Sequence, residues 1–184
     1  MAATATSGGA PAVYLNNTTL TAAGGNIKVY GINTTNYDDG VRINSSSITT
    51  TGSGTIGIYG DSYGGYTSGS STSFNGITFN HGSTTVQSNS GAVEIIGTLT
   101  NASNANANGV SFFSGNSNSG TIQILSRSGG VLIAGNKAAS ASSYGIGHWS
   151  SGNVYIGSPS DGSWTAAGDV TVRFSNISPA GTNY

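Results

Sequence analysis

Three short apolar patterns recur in fixed order along this chain. The first, A, reads apolar-x-apolar-x-Gly: Ile27-Lys28-Val29-Tyr30-Gly31, Ile56-Gly57-Ile58-Tyr59-Gly60, Val93-Glu94-Ile95-Ile96-Gly97 and Val131-Leu132-Ile133-Ala134-Gly135. A fifth copy, Val170-Thr171-Val172-Arg173-Phe174, lacks the glycine. The second, B, reads Gly-apolar-x-apolar in Gly40-Val41-Arg42-Ile43, Gly76-Ile77-Thr78-Phe79 and Gly109-Val110-Ser111-Phe112. Gly145-Ile146-Gly147-His148 ends on a polar residue, and Ala12-Val13-Tyr14-Leu15 lacks the leading glycine. The third, C, is thinner: Leu20, Ile48, Val86, Ile122 and Val154, each flanked by Ser, Thr, Asn or Gln. A glycine-containing turn then leads into the next A. Each series recurs every 28 to 39 residues, and the three stay in phase.

Alternation with a period of two means a strand with one buried face. Three such strands per cycle, with Gly-rich corners, predict an all-β parallel β-helix of about five coils in which A stacks on A, B on B and C on C. At ~4.8 Å per layer, five coils rise roughly 25 Å. The chain reads as one domain over 1–184, with coils near 25–54, 55–91, 92–129 and 130–168 and partial coils at 10–24 and 169–184. The expected interior has the A columns headed by Ile27 and Val29 and a B column Val13, Val41, Ile77, Val110, Ile146. A second B column holds Leu15, Ile43, Phe79 and Phe112, with the two rings stacked at ~5 Å. The glycines closing A and opening B are expected at corners that need either φ > 0 or close backbone approach. No window keeps a helical period free of Gly and Ser/Thr/Asn clusters.

Composition removes several alternatives. Hydrophobic residues are 35%, charged residues only 6% and the net charge is −1, so the chain is polar without being charged. Disorder usually couples low hydrophobicity to high net charge, and that coupling is missing. Five Lys+Arg give phosphates little to bind, so no nucleic-acid partner is expected. No run of 18 apolar residues predicts membrane insertion. There is no cysteine for a disulfide or thiolate site. No basic n-region precedes an apolar h-region, so any export signal is expected on a segment outside these residues.

The run Gly25-Asn26-Ile27-Lys28-Val29-Tyr30-Gly31, then Gly40-Val41-Arg42-Ile43, then Ile48-Thr49-Thr50-Thr51-Gly52-Ser53-Gly54 resembles one coil of the filamentous-haemagglutinin-like adhesins. These are repetitive exoproteins of two-partner secretion systems. The resemblance spans about residues 10–174 and lies in repeat grammar, with no site motif. It implies a right-handed parallel β-helix, secretion to the bacterial cell surface, and a role in adhesion or fibre formation. The secretion-domain motif such proteins carry near their N-terminus is not visible, so an interior or free-standing segment is expected.

Some parallel β-helices cleave polysaccharides, which takes clustered carboxylates and basic groups. The acids Asp38, Asp39, Asp61, Glu94, Asp161 and Asp169 are scattered over several coils. Only Asp38 and Asp39 adjoin, and they read as a solvated loop turn ahead of a cation site. His81 and His148 have no partner at ligand spacing and read as hydrogen-bonded structural residues. No catalytic residue, cofactor or metal is therefore expected, and the chain is read as no enzyme. The longest departure from the minimal coil is the A–B loop 61–75, since insertions in solenoids gather on one face. Its Tyr63, Tyr66 and Phe74 either offer stacking surfaces to a ligand or fold back over strand A near Tyr30 and Tyr59. The outward columns of C are read as Thr19, Ser47, Thr85, Thr121, Asn153 and Thr21, Thr49, Gln87, Gln123, Tyr155.

These readings predict a non-enzymatic structural or adhesive module. Its partners are further copies of itself, stacked head to tail, or a host or matrix glycan surface. The assembly edges are Val13 and Leu15 at one end and Val170, Val172 and Phe174 at the other, because the pattern opens on B and closes on A. The rivals are a carbohydrate-binding or carbohydrate-active β-helix and an ice-binding surface.

Overall fold

The computed structural model describes residues 1–6, 9–35, 38–63, 74–100, 107–113, 120–137, 144–148, 152–159, 161–165 and 167–174. Among them are sixteen strands, β1 to β16 in chain order, in three parallel sheets, and no helix. Sheet A stacks β1 (Ala2–Ala5), β4 (Ile27–Asn33), β7 (Ile56–Ser62), β10 (Val93–Leu99), β13 (Val131–Lys137) and β16 (Val170–Phe174). Sheet B stacks β2 (Val13–Asn16), β5 (Val41–Asn44), β8 (Ile77–Phe79), β11 (Asn108–Phe112) and β14 (Tyr144–His148). Sheet C stacks β3 (Thr19–Ala22), β6 (Ser47–Thr50), β9 (Thr84–Ser88), β12 (Thr121–Ser126) and β15 (Asn153–Ile156). The chain visits A, B and C in turn through five coils and returns to A: a parallel β-helix. Parallel crossovers wind right-handed as a rule, the sense the resemblance implies.

The columns of sheets A and B follow the alternation. Ile27, Ile56, Val93, Val131 and Val170 are in register, as are Val13, Val41, Ile77, Val110 and Ile146. Phe79 and Phe112 stack with ring centroids 5.4 Å apart and planes 21° apart. Each side chain packs on its equivalent one layer away, so the core is a bundle of columns and no coil buries its own apolar face.

The recurring glycines set the cross-section. A Cβ at Gly31, Gly60, Gly97 or Gly135 would run into the carbonyl of Gly40, Gly76, Gly109 or Gly145. In return, a Cβ at Gly40, Gly76 or Gly109 would meet main-chain atoms of Asp61, Thr98 or Asn136. Two glycine columns thus pack sheet A directly against sheet B, backbone on backbone. None of these glycines has positive φ, so close approach, and not a left-handed turn, explains why they are glycine.

Polar ladders finish the corners. At the A–B corner the Asn75 amide donates to Asp39 Oδ1 (2.7 Å) and the Asn108 amide to Asn75 Oδ1 (2.8 Å), so in two successive coils one side-chain oxygen holds the next coil. At the C–A corner the hydroxyls of Thr50 and Ser88 donate to the Gly54 carbonyl (2.8 and 2.9 Å), and that of Ser126 to the Gly91 carbonyl (2.8 Å). Buried polar atoms are tolerated where they are paired in this way.

Two expectations are corrected. The first coil is complete, because β1 pairs with β4 in register Ala2 with Tyr30 through Ala5 with Asn33. The segment Ala-Ala-Thr-Ala lacks the branched alternation that marks the other A strands; backbone pairing with β4 and the packing of Ala3 on the core place it. In sheet C, Ile122 lies beside Thr84 and Ile124 beside Val86. The continuous apolar column is therefore Leu20, Ile48, Val86, Ile124, Ile156, two residues away from the expected one in the last two coils. The outward columns shift with it, to Thr19, Ser47, Thr85, Gln123, Tyr155 and Thr21, Thr49, Gln87, the last of these in register with Leu125, which is buried.

Candidate functional site

Of the predicted aromatic loop, residues 64–73 lie outside the described residues and only its two ends are described. Phe74 is buried, which corrects its reading as a contact residue. Tyr63 is exposed just past β7, where its amide donates to the Asn33 carbonyl (2.9 Å). Tyr66 lies outside the described residues. Asp61 and Ser62 belong to β7 itself, so the loop begins two residues later than its composition suggests.

Asp38 and Asp39 are also corrected, because neither faces solvent: they are 7% and 1% exposed. Arg42 forms ion pairs with both, its Nε meeting Asp39 Oδ2 at 2.7 Å. Burial pushes the Asp39 carboxyl above its ordinary value, outweighing the attraction of Arg42 and the hydrogen bond from Asn75. In the following coils the same corner is built from neutral residues. Asn75 Nδ2 donates to Thr78 Oγ1 (2.9 Å), and Asn108 and Ser111 occupy the equivalent places. The cluster is thus one charged rung of a structural ladder, with its carboxylates engaged internally.

His81 is exposed, and His148 continues the Phe112 column, its Nε2 3.0 Å from the Gly152 carbonyl and its ring edge-on to Phe113. No three His, Cys, Asp or Glu side chains converge among the described residues. Of the assembly edges, Val13 and Leu15 are buried in the first layer of sheet B, while Val170 and Val172 are exposed on β16. The Phe174 side chain lies outside what is described. With β1 in place the described strands open on A, so the closing A no longer completes a coil that begins with B.

The outer face of sheet A carries a surface that the sequence reading passed over. Its central outward column is Ala2, Tyr30, Tyr59, Ile96, Ala134, Arg173, apolar through its first five layers. The column beside it runs Lys28, Gly57, Glu94, Leu132, Thr171. A Cβ at Gly57 would lie 2.5 Å from Tyr59 Cε2 and 2.7 Å from its Oη, so this glycine leaves a notch that the Tyr59 ring fills. From there Tyr59 Oη donates to Glu94 Oε2 (2.7 Å). Burial, then the Glu94 carboxylate, pushes the phenol up to about 12, which keeps it a neutral donor. Tyr30 sits one layer away, centroids 6.3 Å apart and planes at 54°, and is 43% exposed. A shallow groove lined by Glu94, Leu132, Asp169 and Arg173 opens beside this face. The sequence signal was the fourth place of pattern A, where Tyr30, Tyr59, Ile96 and Ala134 are apolar although alternation turns that place outward.

No protein-family model, curated protein or solved structure matches this chain.

Proposed function

We propose that the chain is a non-enzymatic structural and adhesive β-helix module of a secreted bacterial surface protein or extracellular fibre. The observation that carries this reading is the outer face of sheet A. A rigid, parallel-stacked face presents an apolar column with Tyr30 at its surface, in a chain with almost no charge. A partly exposed apolar column on an outer sheet face marks a contact surface, and six stacked strands fix its spacing. The repeat grammar shared with filamentous-haemagglutinin-like adhesins points the same way.

Beads coated with the chain should be retained on epithelial or matrix-coated surfaces. Retention should be nearly unchanged between low and physiological salt, since few ionic groups are available to be screened. Tyr30→Ser should reduce it. Release of new reducing or unsaturated ends from pectin or alginate, abolished in Asp38→Asn/Asp39→Asn, would replace this reading with a carbohydrate-active enzyme.

A further inference from the structure

We infer that Tyr30 and Tyr59, flanked by Lys28 and Glu94, form a subsite for a neutral pyranose unit of a glycan. The inference rests on the adhesive reading and names the ligand class. Tyr59 is preorganised twice over: its ring edge fills the notch at Gly57, and its hydroxyl is tied to Glu94. A side chain already fixed loses little rotamer freedom when a ligand stacks on it. Tyr30, tilted by 54° at 6.3 Å, gives the site a second wall. Pyranose rings present a C–H face, which suits the negative face of an aromatic ring.

Gly57 separates Lys28 from Glu94 in one outward column, so a donor and an acceptor stand on opposite sides of the Tyr59 ring, two layers apart. Two layers are roughly 10 Å, a span within reach of hydroxyls on opposite edges of one sugar. A uronate or sulfated unit would bring its anion close to Glu94, so the arrangement favours an uncharged sugar. A partner aromatic surface would stack on the rings equally well but would leave the Lys28 and Glu94 ends without hydroxyls to bind.

Cellohexaose, laminarihexaose and mannohexaose serve as neutral probes and an oligogalacturonate as the acidic control, each titrated calorimetrically into the full chain. At least one neutral probe should bind saturably and independently of salt, weakened roughly ten-fold by Tyr30→Ala or Tyr59→Ala. Gly57→Ala is the sharper variant, because it removes no sugar-contacting group and only displaces the Tyr59 ring. It should weaken binding by a similar factor while the far-UV spectrum stays unchanged. Binding of the acidic probe alone, binding of no neutral probe, or wild-type affinity in both Tyr59→Ala and Gly57→Ala overturns the subsite. So does concentration-dependent self-association that Tyr30→Ala abolishes, which would assign the face to a second copy. Bead retention that Tyr30→Ser reduces, in a chain that binds no neutral probe, sinks the subsite and leaves the adhesive module standing. Oligosaccharide binding without bead retention does the reverse.

Discussion

Sheets A and C are built by the same chain in the same coils, yet they hold register differently. From β4 to β13 every strand of sheet A has seven residues, with two apolar inward columns and a glycine column locked against sheet B. Sheet C strands vary from four to six residues, and one inward column is apolar throughout. A second inward column changes from Ser46 and Thr84 to Ile122 and Val154, and the third holds the Thr50, Ser88, Ser126 hydroxyls. Sheet A is therefore fixed by sterics along its length. Sheet C is fixed at its far end, where those hydroxyls meet the glycine carbonyls of the C–A corner. Coil-to-coil length differences are absorbed at its near end, where Gly82 and Gly120 take positive φ. Backbone-to-backbone packing tolerates no variation, whereas a hydroxyl corner lets the strand before it lengthen.

The contrast is broken most severely in the glycine columns. Gly97→Val places its side chain against the Gly109 carbonyl, where neither backbone can retreat without shearing two sheets apart. Loss of the cooperative thermal transition is expected, beyond the ~1–3 kcal/mol of ordinary overpacking. Gly25→Ala, with open space around its Cβ, should stay within about 0.5 kcal/mol. If both variants melt alike, the steric lock is not what holds sheet A.

Next in size is the aromatic column of sheet B. Phe112→Ala removes one ring of the Phe79 stack and should cost about 3–5 kcal/mol by urea titration. A cost below 1 kcal/mol would mean that neighbouring coils collapse freely into the gap, contrary to a stack of fixed layers.

A smaller effect comes from the charged rung of the A–B corner. The Asp39 pKa is raised in the folded state, so the folded chain holds that proton more tightly than the unfolded one. Its contribution to stability is then fully present below the ordinary carboxylate value of 3.8 and is lost as pH rises through the raised folded value. Asp39→Asn, which supplies the residue found at 75 and 108, should flatten that part of the stability–pH curve. A slope unchanged in Asp39→Asn would assign the titration to another group.

The smallest effect is expected on the outside of sheet C. Thr85→Ala, in the outward column between Ser47 and Gln123, should shift stability by less than about 0.5 kcal/mol. Its amides should also exchange with solvent ahead of those in β7 and β10, through openings that leave sheet A intact. Uniform protection across the two sheets would erase the distinction.

The sequence by itself determined the cycle of three strands, the columns of sheets A and B, and the stacked Phe79–Phe112 pair. Alternation and glycine position are local signals, and strict repetition carries them from coil to coil. Tertiary structure alone decided the rest. β1 is a strand because β4 offers it an edge, and Ile124, not Ile122, joins the Val86 column because Ser126 aligns with Ser88. Asp39 is buried because Asn75 and Arg42 close over it, although Asp-Asp-Gly reads as a solvent turn. The Tyr59 seat needs Gly57 two residues earlier and Glu94 one coil later. Each of these depends on side chains brought together across layers of the stack, where no period in the sequence can signal which atoms meet.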